Sequence, residues 1–229
     1  MRLGPDLVEG RFQVRLNRFA ATVTVDGREE LVHVANSGRM HELLVPGQRV
    51  LLKPMAGEHR KTRFDLALVD LGTNMASADA RLPNALVAEA LEKGHLPQFR
   101  DYPQIRREVT FGESRLDLLL EGPGGFWYVE TKSVTLVVDG VGLFPDSPTS
   151  RGVKHMKSLT KAVEAGHRAA VVFVIQRDDA QAFATHDQAD PEFAEAFRES
   201  LASGVEAFAY RCQVNEQSIT LSDRLPIKL

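Results

Sequence analysis

The 229-residue chain is 43% hydrophobic and 26% charged with formal net charge −3, which suits a buried core in one or two domains and excludes disorder and fibrous repeats. Its single cysteine, Cys212, excludes a disulfide framework and a Cys-rich zinc site and fits a reducing cytosol. The longest clean apolar run, Ala169–Ile175, is far too short to span a membrane, and the opening Met1-Arg2-Leu3-Gly4-Pro5-Asp6 has no signal-peptide core, so a cytoplasmic location is expected.

The first segment reads as β. Arg11–Asn17 alternates apolar and polar residues, as a half-buried strand does. Ala21–Val25 follows, and Asp26-Gly27 predicts a hairpin to Glu30–Ala35. Asn36-Ser37-Gly38-Arg39 breaks the pattern and Pro46-Gly47 marks another turn. Arg49–Lys53 and Phe64–Val69 complete about five short strands, the number expected of a small barrel such as the oligonucleotide-binding (OB) type.

The second segment changes character near residues 72–83. Asn84–Lys93 predicts a helix stopped by Gly94. Strands follow at Arg106–Phe111, Arg115–Leu120 and Phe126–Thr131, the last two joined as a hairpin by Gly122-Pro123-Gly124-Gly125. A helix from Arg151 to Ala165 ends at Gly166. Arg168–Ile175 reads as a strand buried on both faces. A helix over Pro191–Ser203 and strands at Val205–Tyr210 and Ser218–Leu221 close the chain.

Alternation in the middle strands isolates a few charges. Asp117 is the only carboxylate of its apolar strand and is expected to point away from Leu116, Leu118 and Leu120. Glu130 and Lys132 share one face of the next strand. A hairpin would bring Asp117 opposite them. Isolated charges are costly to bury, and a magnesium ion taking carboxylate oxygens and bridging to phosphate would justify them. Lys132 could then orient or deprotonate a water, or stabilise charge on phosphate. Glu108, on the preceding strand, could add a third acid. A salt bridge on a solvated sheet face would use the same residues, and spacing leaves the two readings level. The arrangement Asp-x12-Glu-x-Lys, within the order helix, three strands, helix, strand, resembles the core of the PD-(D/E)xK nuclease superfamily.

The net charge at first argues against a nucleic-acid partner, but charge is unevenly spread. Residues 1–80 hold 11 Lys and Arg against 10 Asp and Glu, residues 81–177 hold 13 against 11, and residues 178–229 hold 4 against 10. The acidity sits in the last segment, where a solvated helix face would hold it. In contrast, Arg151, Lys154, Lys157 and Lys161 fall within an arc of about 120° on one helix, opposite Val153, Met156, Leu159 and Val163. His155 lies at the edge of that basic face. Such a face beside an acidic metal site suits a phosphodiester backbone; a solvated lysine face would look the same. Thr149 or Ser150 could cap the helix. Arg39 and the amides around it could also hold phosphate.

Four stretches in order resemble the sugar fermentation stimulation protein A family of bacteria and archaea. They are Ala35-Asn36-Ser37-Gly38-Arg39-Met40 with Pro46-Gly47, Arg107-Glu108-Val109-Thr110-Phe111-Gly112 with Ser114-Arg115-Leu116-Asp117, Tyr128-Val129-Glu130-Thr131-Lys132-Ser133-Val134-Thr135-Leu136, and Phe144-Pro145-Asp146-Ser147-Pro148-Thr149-Ser150-Arg151-Gly152-Val153-Lys154-His155. The resemblance runs nearly end to end. It implies an OB-type β-barrel over residues 1–80 and a restriction-endonuclease-like α/β domain with a mixed central sheet over residues 81–229. It also implies binding to DNA without sequence preference.

On that resemblance Asp117, Glu130 and Lys132 fall on the nuclease-like motif, although Leu116 stands where the superfamily usually has proline. The expected catalytic set is Asp117, Glu130 and Lys132. The expected metal set is Asp117, Glu130 and Glu108, with Mg2+ or Mn2+ as cofactor. The expected nucleic-acid contacts are Arg39, Arg151, Lys154, His155, Lys157 and Lys161. DNA is the expected partner, RNA a further candidate, and a homodimer would suit an enzyme that cuts both strands. The alternative is a non-catalytic DNA-binding regulator of sugar catabolism genes. Two acids facing DNA repel phosphate unless metal is present, which favours the nuclease.

Overall fold

The first 77 residues curl on themselves because short alternating strands have one apolar face to bury. The computed structural model describes every residue except Pro5 and Glu58. Strands β1 (Val8–Asn17), β2 (Ala20–Val25), β3 (Arg28–His33), β4 (Arg49–Pro54), β5 (Phe64–Asp70) and β6 (Met75–Ser77) lie in the order β3-β2-β1-β4-β5-β6. A parallel pairing of β3 with β5 closes the barrel. The β2–β3 turn is tight because Asp26 and Gly27 both take positive φ, 47° and 76°, as a primed hairpin turn requires. Phe12, Val23, Val32, Leu52 and Leu66 fill the barrel, joined by Met40 and Leu43 from the loop after β3.

The second domain is a mixed α/β layer. It comprises α1 (Leu82–Glu92), β7 (Gln104–Phe111), β8 (Ser114–Gly122), β9 (Gly125–Val134), β10 (Val137–Val138), β11 (Val141–Phe144), α2 (Ser150–Glu164), β12 (Arg168–Ile175), β13 (Ala182–Thr185), α3 (Pro191–Ala202), β14 (Glu206–Val214), β15 (Ile219–Leu225) and β16 (Ile227–Lys228). The main sheet runs β15-β14-β12-β9-β8-β7. Its middle strand β12 is parallel to both β9 and β14, and Ala169–Ile175 are all buried. That is why β12 reads as an unbroken apolar run. Helix α1 and barrel residues Leu51 and Leu68 cover one face. Helices α2 and α3 cover the other. Among the described residues no helix is long and apolar enough to cross a membrane.

Three features depart from the predicted elements. A small sheet, β10-β11-β13-β16, has no counterpart in the sequence reading, because strands of two to four residues carry no usable period. Helix α1 begins at Leu82 rather than Asn84, with Pro83 in its first turn, where a missing N–H costs nothing. Leu116 does not share a face with Leu118 and Leu120. It packs with Leu119 and Tyr128 under α2, whereas Leu118 and Leu120 pack under α1. The break lies at Asp117. Opposite it on β7, Glu108 sits at φ 56°, and the ladder pairs Arg107 with Leu118 and Val109 with Leu116 but skips the pair between.

The two domains share many bonds. Ser77 N donates to Gln176 O, Gln176 Nε2 donates to Asp79 O, and Asn74 Nδ2 donates to Asp178 Oδ1. The chain start crosses over: Leu3 N donates to Gln217 O and the terminal amine to Ile219 O.

Phe173, fully buried on β12, stacks on Phe183 at 4.0 Å between ring centroids. Phe173→Ala is expected to lower unfolding stability by about 3–5 kcal/mol, measured by urea denaturation. A change below about 1 kcal/mol would mean the α2–α3 face is not packed this way.

Candidate active site

Strand β9 lies between β8 and β12, so its side chains face α1 on one side and α2 on the other. Glu130 and Lys132 face α2, which Thr149 starts by accepting a hydrogen bond from Gly152 N at 3.0 Å. Asp190, the α3 cap, fixes that turn by accepting from Thr149 N at 2.7 Å and from Phe193 N at 3.0 Å. One turn into α2, His155 meets the strand. Glu130 Oε1 accepts from Lys132 Nζ at 2.7 Å and from His155 Nδ1. Arg151 Nε donates to His155 Nε2 at 3.3 Å. With Nε2 accepting, a neutral ring carries its proton on Nδ1, the nitrogen that faces Glu130.

These side chains are almost sealed: Glu130 is 4% exposed, Lys132 10% and His155 6%. Burial alone would raise the Glu130 pKa, but the Lys132 ammonium and His155 outweigh it and hold the carboxyl below its ordinary value. Its second oxygen, Oε2, is buried without any hydrogen-bond partner. An unpartnered buried carboxylate oxygen is costly, and a bound cation would satisfy it.

Asp117 is the next position on β8 after the last paired residue, Leu118, which lies opposite Val129. The register therefore carries it to Glu130, as expected, but its carboxylate engages different partners. Oδ2 accepts from Thr131 N at 2.8 Å and Thr131 Oγ1 at 2.6 Å, and Oδ1 accepts from Asn84 Nδ2 at 3.1 Å. Arg107 Nε holds Asn84 in turn, at 3.0 Å. Oδ1 keeps spare lone-pair capacity. Among the described residues no three His, Cys, Asp or Glu side chains gather as a ligand cage.

Two expected site residues lie elsewhere. Glu108 is exposed and ion-paired with Arg115, so its carboxylate is not brought to Glu130. The positive φ at this residue is what turns the strand locally. His155 is not a phosphate contact on the basic face. It is buried against Glu130 because α2 turns that side inward with Val153, Met156 and Leu159. Arg151, Lys154, Lys157 and Lys161 do form an exposed stripe along α2. Lys154 also lies 3.6 Å from Glu113. Arg39 is exposed on the barrel loop.

A cleft of about 290 Å³ opens between the domains above Lys132. Thr131, Lys132, Arg151 and Asp146 line it from the second domain, and Asn36, Ser37 and Gly38 from the barrel. Sequence reasoning missed four supports of this region: Asn84, Thr131, Arg15 and Asp146. Their positions in strand, helix and motif do not reveal these roles, which arise only where separate segments meet. For His155 the helical period did hold a signal, since it falls beside Met156 and Leu159.

Comparison with known proteins matches most of the chain. The model of the sugar fermentation stimulation protein RE domain matches residues 81–218, and that of the SfsA N-terminal OB domain matches residues 14–77. The sugar fermentation stimulation protein homolog of Caldanaerobacter subterraneus subsp. tengcongensis is 45% identical over 223 residues, 97% of each chain. That of Acetivibrio thermocellus is 45% identical over 218 residues, 95% of this chain and 94% of the relative. The solved structure of Pyrococcus furiosus SfsA in complex with Ca2+ superposes with a TM-score of 0.92 at 33% identity, covering 100% of this chain and 98% of that one.

Because its folded pKa is depressed, Glu130 contributes stability above its ordinary pKa that disappears as pH falls through the lower folded value. The stability gap between wild type and Glu130→Gln is therefore expected to be widest near neutrality and to narrow in acid, as followed by denaturant melts across pH. A gap independent of pH would mean that Glu130 is not held ionised by Lys132 and His155.

Proposed function

The chain belongs to the sugar fermentation stimulation protein family, and from that premise we propose that it is a metal-dependent phosphodiesterase acting on DNA. The observation that carries this reading is the sealed Glu130 carboxylate, with one oxygen held by Lys132 and His155 and the other left open. A salt bridge made only for stability would have no reason to leave Oε2 buried and unpaired. The relative whose structure is in complex with Ca2+ supports a divalent ion as the missing partner.

Glu130 Oε2 and Asp117 Oδ1 would hold Mg2+ or Mn2+, which when bound polarises a phosphoryl oxygen and makes water a better nucleophile. The remaining work falls to the chain. His155 Nδ1 and Lys132 Nζ anchor Glu130 Oε1 and so orient the carboxylate. Thr131 N and Oγ1 fix Asp117 in the same way. Lys132, at the floor of the cleft, would set a positive charge where charge develops on phosphate and would orient an attacking water. The barrel loop over the cleft would limit bulk water at Lys132 and so strengthen its charge. The α2 stripe of Arg151, Lys154, Lys157 and Lys161, with Arg39 on the barrel loop, would hold the DNA backbone without reading sequence. Glu108 has no part in this set.

Purified protein is expected to cut linear, nicked, branched or single-stranded DNA with Mg2+ or Mn2+ and not with EDTA, RNA serving as a further substrate arm. Lys132→Ala and Asp117→Asn are each expected to lower the rate by at least about 100-fold. Binding without cleavage of any substrate would instead make the protein a DNA-binding regulator. Separately, Lys154→Glu with Lys157→Glu is expected to weaken DNA binding and flatten its log–log salt slope by roughly two. An unchanged slope in a binding titration would remove α2 from the interface.

A further inference from the structure

Arg15 of β1 gives all five guanidinium hydrogens to backbone carbonyls. Nε donates to Asn17 O at 3.1 Å, Nη1 to Gly38 O at 2.6 Å and Arg39 O at 2.7 Å, and Nη2 to Arg18 O at 2.6 Å and Asn36 O at 2.7 Å. A trans peptide points its N–H opposite to its C=O. With the carbonyls of Asn36, Gly38 and Arg39 turned to Arg15, the N–H groups of Ser37, Arg39 and Met40 turn the other way. Met40 shows where that is: its N–H donates to Asp146 Oδ2 at 2.6 Å, on the second-domain loop before α2. Gly38 N–H is taken by Asn36 Oδ1 at 2.9 Å. The amides of Ser37 and Arg39 have no partner among the described residues, and Ser37 and Gly38 form a wall of the cleft over Lys132. A Cβ at Gly38 would lie 3.2 Å from Asp146 Oδ2, so the loop sits close against the second domain. Asp146 brings a negative charge to this wall, but Arg15 lies near enough to offset it, and Arg151 and Lys132 face the same space.

We infer that this cleft admits one unpaired strand of nucleic acid rather than a duplex, with a backbone phosphate seated on the Ser37 and Arg39 amides, an inference that rests on the reading of the site as a phosphodiester centre. Lys132 lines the cleft beneath a roof latched from Met40 to Asp146. A duplex is a stiff rod that holds both backbones on its outer surface, and it cannot carry a phosphate under such a roof. A single strand bends and threads a narrow charged groove. Aligned backbone amides hold phosphate oxygens without regard to base. Arg15 is then a positioning residue: it touches no substrate but sets the direction of the amides that do.

The test is competition binding in EDTA, with full-length protein, a labelled single-stranded oligonucleotide, and a blunt duplex closed by hairpins at both ends. Single strand is expected to bind at least about tenfold tighter than the closed duplex. Ser37→Pro, which removes one N–H, is expected to weaken single-strand binding by roughly fivefold, with circular dichroism confirming the fold. Equal or tighter duplex binding, or no single-strand binding, overturns the inference. So does full single-strand affinity in folded Ser37→Pro. Because no metal is present, the outcome does not depend on cleavage. Single-strand binding with no cutting of any substrate in Mg2+ or Mn2+ would sustain the cleft and sink the phosphodiesterase.

Discussion

A carboxylate and an ammonium two residues apart on a buried strand are tolerable only if nearly every lone pair and proton finds a partner. Glu130 and Lys132 set that constraint here, and much of the second domain follows from it. Helix α2 has to lie where His155 can reach Glu130 Oε1, and its start is fixed twice, by the Thr149 cap and by Asp190 from α3. The inward side of α2 then supplies both the apolar packing and the one polar group the strand needs. Its outward side is left free for cations. The remaining oxygen of Glu130 is the exception to the rule of full partnership, and it lies where the proposed chemistry needs an open ligand.

The barrel contributes more than bulk. Its loop after β3 is held from within by three carbonyl bonds to Arg15 and from without by Asp146. Gln176, Asn74 and the chain start add further cross-domain bonds. The cleft between the domains is therefore walled by backbone fixed at both ends, and Lys132 lies at its floor. Local irregularity serves the same end on the other side. The turn at Glu108 and Asp117 moves Leu116 to the α2 core and leaves the Asp117 carboxylate to Thr131 and Asn84.

Much of this was legible in the residue pattern. The Asp26-Gly27 hairpin, the doubly buried β12, the α2 cation stripe and the adjacency of Asp117 to Glu130 all follow from period and turn chemistry, which are local. What could not be read depends on residues far apart in the chain. His155 looks like an edge residue of a basic helix until β9 is packed beneath it. Leu116 obeys alternation until Glu108 on another strand breaks it. Arg15 is one more arginine on an alternating strand, and only the fold carries the carbonyls of residues 36 to 39 to it. The acidity of residues 178–229, read as a solvated face, is partly structural: Asp190 is buried and caps α3.

Glu130 Oε2, buried without a hydrogen-bond partner, is the proposed open metal ligand on which the site depends. Crystals of the protein grown with Mn2+, measured at the manganese absorption edge, test it without reference to any substrate. An anomalous difference peak in contact with Glu130 Oε2 and shared with Asp117 is the predicted result. A fully occupied water at that oxygen, with manganese bound elsewhere or not at all, would contradict the account.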